Sequence, residues 1–137
     1  MPKPLVVADA NVVVSALLGR PEASSARLLR LAATGDLTLA LSDEYLLELE
    51  RIMDYPELLR VPTGRAFTMG LDLGLHGDLF RPDRLDWPSM KDRKDWYVLD
   101  LAFDSGADYL VTRDRGFDTV LDYFEVLTPP QLLAILA

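Results

Sequence analysis

The sequence predicts an α/β domain of three layers, α/β/α, around a mostly parallel central sheet. Three observations carry that expectation. Short apolar runs of about five residues alternate with longer segments of helical period, the pattern of successive βα units. The runs at 5–8 and 109–111 are apolar at consecutive positions, as strands covered on both faces are. A chain of 137 residues with 50% hydrophobic side chains fills one compact core and is too short for two ordinary domains, so residues 1–137 are expected to form a single domain.

The elements follow in order. A strand is expected over 4–8, closed by Asp9, with a helix over 11–18 behind it. A second helix is expected over 22–34 and a strand over 37–41. Ser42 is a suitable N-cap for a helix over 43–54, which carries Tyr45, Leu46, Leu49, Ile52 and Met53 on one face. A helix over 63–75 comes next, and His76 beside Gly77 reads as a turn or packing residue. The stretch 77–89, broken by Pro82 and Pro88, has the weakest pattern and holds a short edge strand over 78–80. A helix over 92–105 opens on Asp92 and Asp95, strands follow over 108–112 and 123–127, and Thr128 before Pro129 caps a last helix over 129–136. Gly19, Gly35 and Gly106 stand where helices end, the usual place for a left-handed residue.

Composition narrows the function. With 22 acidic against 14 basic residues the net charge is -8, which excludes bulk attraction to nucleic acid or membrane and makes any nucleic-acid role local. The chain contains no cysteine, so disulfides, thiol nucleophiles and Cys-based metal sites are excluded, and a reducing cytoplasm is the expected compartment. The most apolar stretch, 5–18, is interrupted by Asp9, Asn11 and Ser15 and falls short of the roughly 20 residues a membrane span needs.

The acids sit where ligands bind. Asp9 directly follows one strand and Asp114 follows another by two residues, and in open parallel sheets the crevice outside the carboxyl ends of the strands is the binding site. Alone, Asp9 would serve equally as a helix cap and Asp114 as a turn residue. Asp95 shares a helix face with Leu99 and Ala102, which turns it toward the sheet, whereas Asp100 and Asp104 read as solvated charges. On the helix over 43–54, Glu48 and Glu50 flank the apolar stripe symmetrically, and the helical wheel does not choose between them. Acids converging on one strand edge raise one another's pKa unless a cation sits among them. All-oxygen donors without Cys or a well-placed His select a hard ion, Mg²⁺ or Mn²⁺. Lys91, Arg93 and Lys94 precede Asp95, and Arg113 and Arg115 flank Asp114, so basic side chains border the same edge and are candidates for phosphate contacts. Trp96 and Tyr97 are candidates for stacking on an unpaired base, although Trp96 reads more readily as core or interface.

The run Asp9-Ala-Asn11-Val-Val-Val-Ser15-Ala-Leu-Leu resembles the opening of the PIN-domain nucleases. Ser42-Asp-Glu-Tyr-Leu-Leu-Glu48 resembles the family's second block, Asp92-Arg-Lys-Asp95-Trp-Tyr the third, and Gly106-Ala-Asp-Tyr-Leu-Val-Thr112-Arg-Asp114 the fourth, in the family's order. The chain is most similar to the group of toxin components of bacterial and archaeal toxin-antitoxin systems, related to VapC-type ribonucleases. The resemblance implies a PIN-like fold and an acidic quartet of Asp9, Glu48, Asp95 and Asp114 holding Mg²⁺ or Mn²⁺, and so favours Glu48 over Glu50. It further implies that Asn11, Ser15 and Thr112 position ligands or water, that RNA is the substrate, that the protein forms a homodimer, and that an antitoxin blocks the acidic pocket, often with a basic side chain. Lys94 and Arg113 are the basic residues expected to border the cut phosphate. The sequence departs from its relatives at Tyr55, where Arg commonly precedes the proline, and at Gly116, where many carry a further acid.

Other readings make different demands. A haloacid dehalogenase-type phosphatase also begins with a strand and an Asp, but needs a second Asp where Asn11 stands. A receiver-like module needs a late Lys, and none follows Lys94. A catalytically degenerate PIN fold serving as a binding module is compatible with the same sequence.

Overall fold

The computed structural model describes residues 3–56 and 77–137. The helix expected over 63–75 and His76 lie outside the described residues. Strand β1 (Leu5–Ala8) leads into helices α1 (Ala10–Leu18) and α2 (Ser24–Ala33), followed by β2 (Thr38–Ser42), α3 (Asp43–Met53) and β3 (Asp78–Phe80). A 3-10 turn (Arg93–Asp95) runs into α4 (Trp96–Ser105), and then come β4 (Tyr109–Val111), a second 3-10 turn (Arg115–Val120), β5 (Val126–Leu127) and α5 (Pro129–Leu136).

The described strands form one sheet in the order β3-β2-β1-β4-β5, parallel at every pairing, within the three-layer α/β/α arrangement the sequence predicts. Burial explains why the strands are continuous apolar runs: Val6, Val7, Leu39, Leu41, Leu110 and Val111 are all buried. Helix α4 packs across β1 and β2 and reaches α3, while α2 packs on both α1 and α5. Leu132 of α5 is fully buried in that contact, and Ile135 is exposed.

Topology creates one special place. The chain steps outward from β1 to β2 and β3, then returns across β1 to add β4 and β5, so strand order reverses between β1 and β4. Such a switch point opens a crevice at the carboxyl ends of the two strands. Ala8 pairs with Val111, and the next residues, Asp9 and Thr112, therefore leave the sheet side by side at its edge.

Several local expectations change. The helix expected over 92–105 divides: Asp92 caps the 3-10 turn by accepting from the Lys94 N–H at 3.0 Å, and Asp95 stands at the junction with α4 without a side-chain cap bond. The last strand is cut to two residues because the Tyr123 and Phe124 N–H groups both turn back to the Val120 carbonyl. Gly35 and Gly106 take the left-handed conformation, but Gly19 is extended, and its role is one of space: its N–H bonds the Ser15 carbonyl, and an added Cβ would lie 2.8 Å from that oxygen. Asp100 is buried rather than solvated, as it accepts from the Trp87 indole N–H at 2.9 Å and the Leu85 N–H at 3.0 Å.

Candidate active site

Asp9 is the most deeply buried acid of the edge. Its side chain is 2% exposed, an unusual position for a carboxylate, which is seldom buried without partners. Thr112 supplies one, its Oγ1 donating to Asp9 Oδ2 at 2.9 Å, and the Asn11 N–H supplies another, at 3.4 Å from Oδ1. Asp9 is thus both the N-cap of α1 and a buried acid at the switch point. Burial raises its pKa, the Thr112 and Asn11 bonds oppose the rise, and the charge of Asp114 adds to it. A carboxylate offers about four lone-pair sites, so these bonds leave capacity for a further ligand. Beneath it, the Tyr45 hydroxyl donates to the Ala8 carbonyl at 2.6 Å and fixes the end of β1.

Thr112 links the two strand ends. Its hydroxyl, while donating to Asp9, accepts from the Asp114 N–H at 3.0 Å, which sets the turn that carries Asp114. Asp114 is exposed, and its Oδ1 accepts from the Gly116 N–H at 2.8 Å, capping the second 3-10 turn. A Cβ at position 116 would stand 3.1 Å from that oxygen, so glycine here lets the carboxylate close on the turn.

Asp95 and Glu48 approach from the helices. Asp95 is half-buried and its pKa is pushed up to about 6, first by burial and then by Asp9, Asp92, Asp114 and Glu48. Acids separated by most of the sequence therefore act on one carboxyl, and Glu48 is among them whereas the exposed Glu50 is not. Glu48 is held by Arg51 one turn on, with Nε 3.1 Å from Oε2 and Nη2 2.5 Å from Oε1. Tyr97, half-buried 6.0 Å ring to ring from Tyr45, has its phenol raised by burial and by Asp9, Glu48 and Asp95.

The remaining residues divide. Asn11 and Ser15 lie one turn apart on α1, Asn11 exposed and Ser15 half-buried. Lys94 is exposed beside Asp95. Arg113 reaches instead to the start of α2, where Nη2 donates to Ser24 Oγ at 2.6 Å and to Ser25 Oγ at 3.4 Å. Tyr45 and Arg51 bear on the site more directly than their sequence pattern suggests. Tyr45 reads as core because its polar tip is hidden in an apolar stripe, whereas Arg51 was recoverable from its i,i+3 spacing to Glu48.

The donor set suits a hard cation: it is all carboxylate oxygen, and the charges of Asp9, Asp114 and Glu48 add to the burial that raises the Asp95 pKa. Among the described residues, however, no group of three or more His, Cys, Asp or Glu side chains is arranged to hold a metal ion. The acids share an edge and a field, with Glu48 turned onto Arg51. An exposed pair of that kind contributes little and exchanges readily. Next to it a groove of about 290 Å³ runs past Glu48, Arg51, Lys94, Trp96 and Tyr97.

Comparison with known proteins agrees with this architecture. A family model described as PIN domain matches residues 5–116. Among solved structures, the chain is similar to one in the crystal structure of VapBC2 from Rickettsia felis bound to a DNA fragment from their promoter, with a TM-score of 0.59 and 16% identity over 90% of this chain and 98% of that one. At that identity the likeness is one of fold. No curated protein matches.

Proposed function

The chain belongs to the PIN domain family, whose members are generally nucleases, and from that premise we propose that it is a Mg²⁺- or Mn²⁺-dependent endoribonuclease, the toxin of a toxin-antitoxin pair. One observation carries the reading: Asp9 from the end of β1, Glu48 from α3 and Asp114 from beyond β4 all act on Asp95, whose pKa they help push up to about 6. Such mutual repulsion stabilises nothing in the free protein and is relieved by a divalent cation.

In this reading Asp9, Glu48, Asp95 and Asp114 hold the ion, and Glu48 exchanges Arg51 for it. The ion, when bound, supplies an acidified water and neutralises charge on the phosphate oxygens. Thr112 fixes the orientation of Asp9 and, through its bond to the Asp114 N–H, the spacing of the two strand-end acids. Asn11 and Ser15 line the α1 side and position substrate or water. Lys94 contacts a phosphate beside Asp95, and Arg113 does so on the other side by exchanging its serine partners. A carboxylate of the same set would take up the proton released as water attacks phosphorus, while the P–O bond to the leaving ribose oxygen breaks and that oxygen takes a proton from solvent.

The partner in this reading is an antitoxin that places a basic side chain in the acidic pocket, and a second copy of the chain completes a homodimer. The VapBC2 complex of similar fold supports an antitoxin partner. No described helix is long and apolar enough to cross a membrane. A second reading, a binding module without catalysis, is favoured by the Arg51 contact to Glu48 and by the open arrangement of the described acids.

Incubating the purified chain with RNA and Mn²⁺ separates them. The nuclease reading expects fragments, lost on adding EDTA and reduced at least about a hundredfold in Asp9→Asn. Intact RNA, or cleavage by Asp9→Asn at the wild-type rate, leaves the binding module.

A further inference from the structure

Beyond the acidic edge, one feature of the 84–97 segment is unexplained by catalysis. Arg93 lies over the Trp96 ring, its guanidinium carbon 5.3 Å from the centroid, and Trp96 Nε1 donates to the Met90 carbonyl at 2.9 Å, which fixes the indole. This cation–π pair forms a saddle between two depressions. On one side is the groove of about 290 Å³ that contains Glu48 and Tyr97; on the other is a second, of about 380 Å³, lined by Pro88, Met90, Lys91 and Asp86. Both depressions include Arg93 and Trp96 in their walls.

The chemistry of the saddle matches one kind of ligand. Lys91, Arg93 and Lys94 are exposed within four consecutive positions, with Asp92 the acid among them, on a protein whose net charge is -8. A positive stretch on a negative protein, next to a guanidinium held over an indole, suits a backbone of phosphates with an unpaired base laid on a delocalised face. Duplex RNA keeps its base faces stacked on one another and offers them only at its two ends.

We propose that the Arg93–Trp96 pair is a nucleotide platform for single-stranded RNA: it stacks an unpaired base that flanks the cut phosphate, with the strand passing from the groove beside Glu48 and Lys94 over the saddle toward Lys91. The proposal rests on the ribonuclease reading for the direction of the strand. Platform binding itself does not require cleavage, so the two can fail separately.

The test uses the full chain in EDTA, an eight-nucleotide adenosine RNA and a blunt RNA duplex of equal length, read by fluorescence anisotropy and by tryptophan emission. The single strand is expected to bind more tightly than the duplex and to quench emission. Arg93→Gln, which alters an exposed side chain, and Trp96→Leu should each weaken single-strand binding about tenfold. Trp96→Phe should keep the affinity within about threefold and lose the quench, because the aromatic face remains while the reporting indole is gone. Wild-type affinity in both Arg93→Gln and Trp96→Leu, equal binding of duplex and single strand, or no binding of the single strand overturns the platform. If those variants bind weakly while the wild type with Mn²⁺ cuts no RNA, the platform stands and the ribonuclease reading falls. If cleavage is Asp9-dependent and the variants bind normally, the platform alone falls.

Discussion

The Thr112 hydroxyl donates to Asp9 Oδ2 across 2.9 Å although the two residues are 103 positions apart in sequence. The same oxygen accepts the Asp114 N–H, so a single buried hydroxyl ties the ends of β1 and β4 to the acids that follow them. Valine has the same shape but neither donates nor accepts. Thr112→Val should lower stability by about 1–3 kcal/mol, the cost of leaving buried polar groups without a partner. Urea unfolding checks this, and Thr112→Ser, which keeps the hydroxyl, should recover most of the loss.

Asp95 gives a pH dependence with a definite sign. Its pKa is about 6 in the folded protein against an ordinary 3.8, so between those values the folded chain keeps a proton that the unfolded chain has released. Stability contributed by that proton is fully present below the unfolded value and is lost as pH rises through the folded one. In EDTA, the urea midpoint of Asp95→Asn should therefore gain on that of the wild type between about pH 4 and about pH 7. Parallel midpoints across that range would contradict the placement of Asp95 among the acids.

Glu48 and Glu50 offer a paired test, because the helical wheel leaves them equivalent and only Glu48 acts electrostatically on Asp95. Glu48→Gln should reduce Mn²⁺-dependent RNA cleavage by at least about tenfold, while Glu50→Gln, on an exposed position, should leave it unchanged. Equal rates for the two variants would remove Glu48 from the site.

Much of this was legible in the sequence. Consecutive apolar runs predicted the parallel strands because burial on both faces leaves no polar alternation, and Ser42 and Thr128 cap α3 and α5 as their side-chain chemistry predicts. The position of Asp9 at a strand end was legible too, since it directly follows the apolar run 5–8, whereas the reversal of strand order beside it comes from the sheet. What was not legible depends on distant segments meeting. Asp100 reads as a solvated helix charge because its donors, Trp87 and Leu85, lie in an aperiodic proline-containing stretch 13 and 15 residues earlier. The helical wheel leaves Glu48 and Glu50 equivalent because the difference between them depends on how α3 meets α4, and in the sequence only the resemblance of residues 42–48 to the PIN second block favours Glu48.

That buried acid has its own consequence. Asp100→Leu removes the acceptor of the Trp87 indole, which packs among Phe103, Tyr123 and Phe124 at ring distances of 5.6–6.2 Å. The loss should be about 3–5 kcal/mol if the packing cannot close around the change and at least about 1 kcal/mol otherwise, with altered Trp87 emission. Unchanged stability and an unchanged spectrum would mean that Asp100 does not anchor the 84–91 segment.

The central claim, that carboxylates from separate parts of the chain share one divalent ion, is tested most directly by Mn²⁺ titration calorimetry on the wild type and on the Asp9→Asn, Asp95→Asn double variant, with circular dichroism confirming that both are folded. Saturable Mn²⁺ binding by the wild type and its loss in the double variant is the expected result. The same affinity in both proteins, or no binding by either, would contradict it.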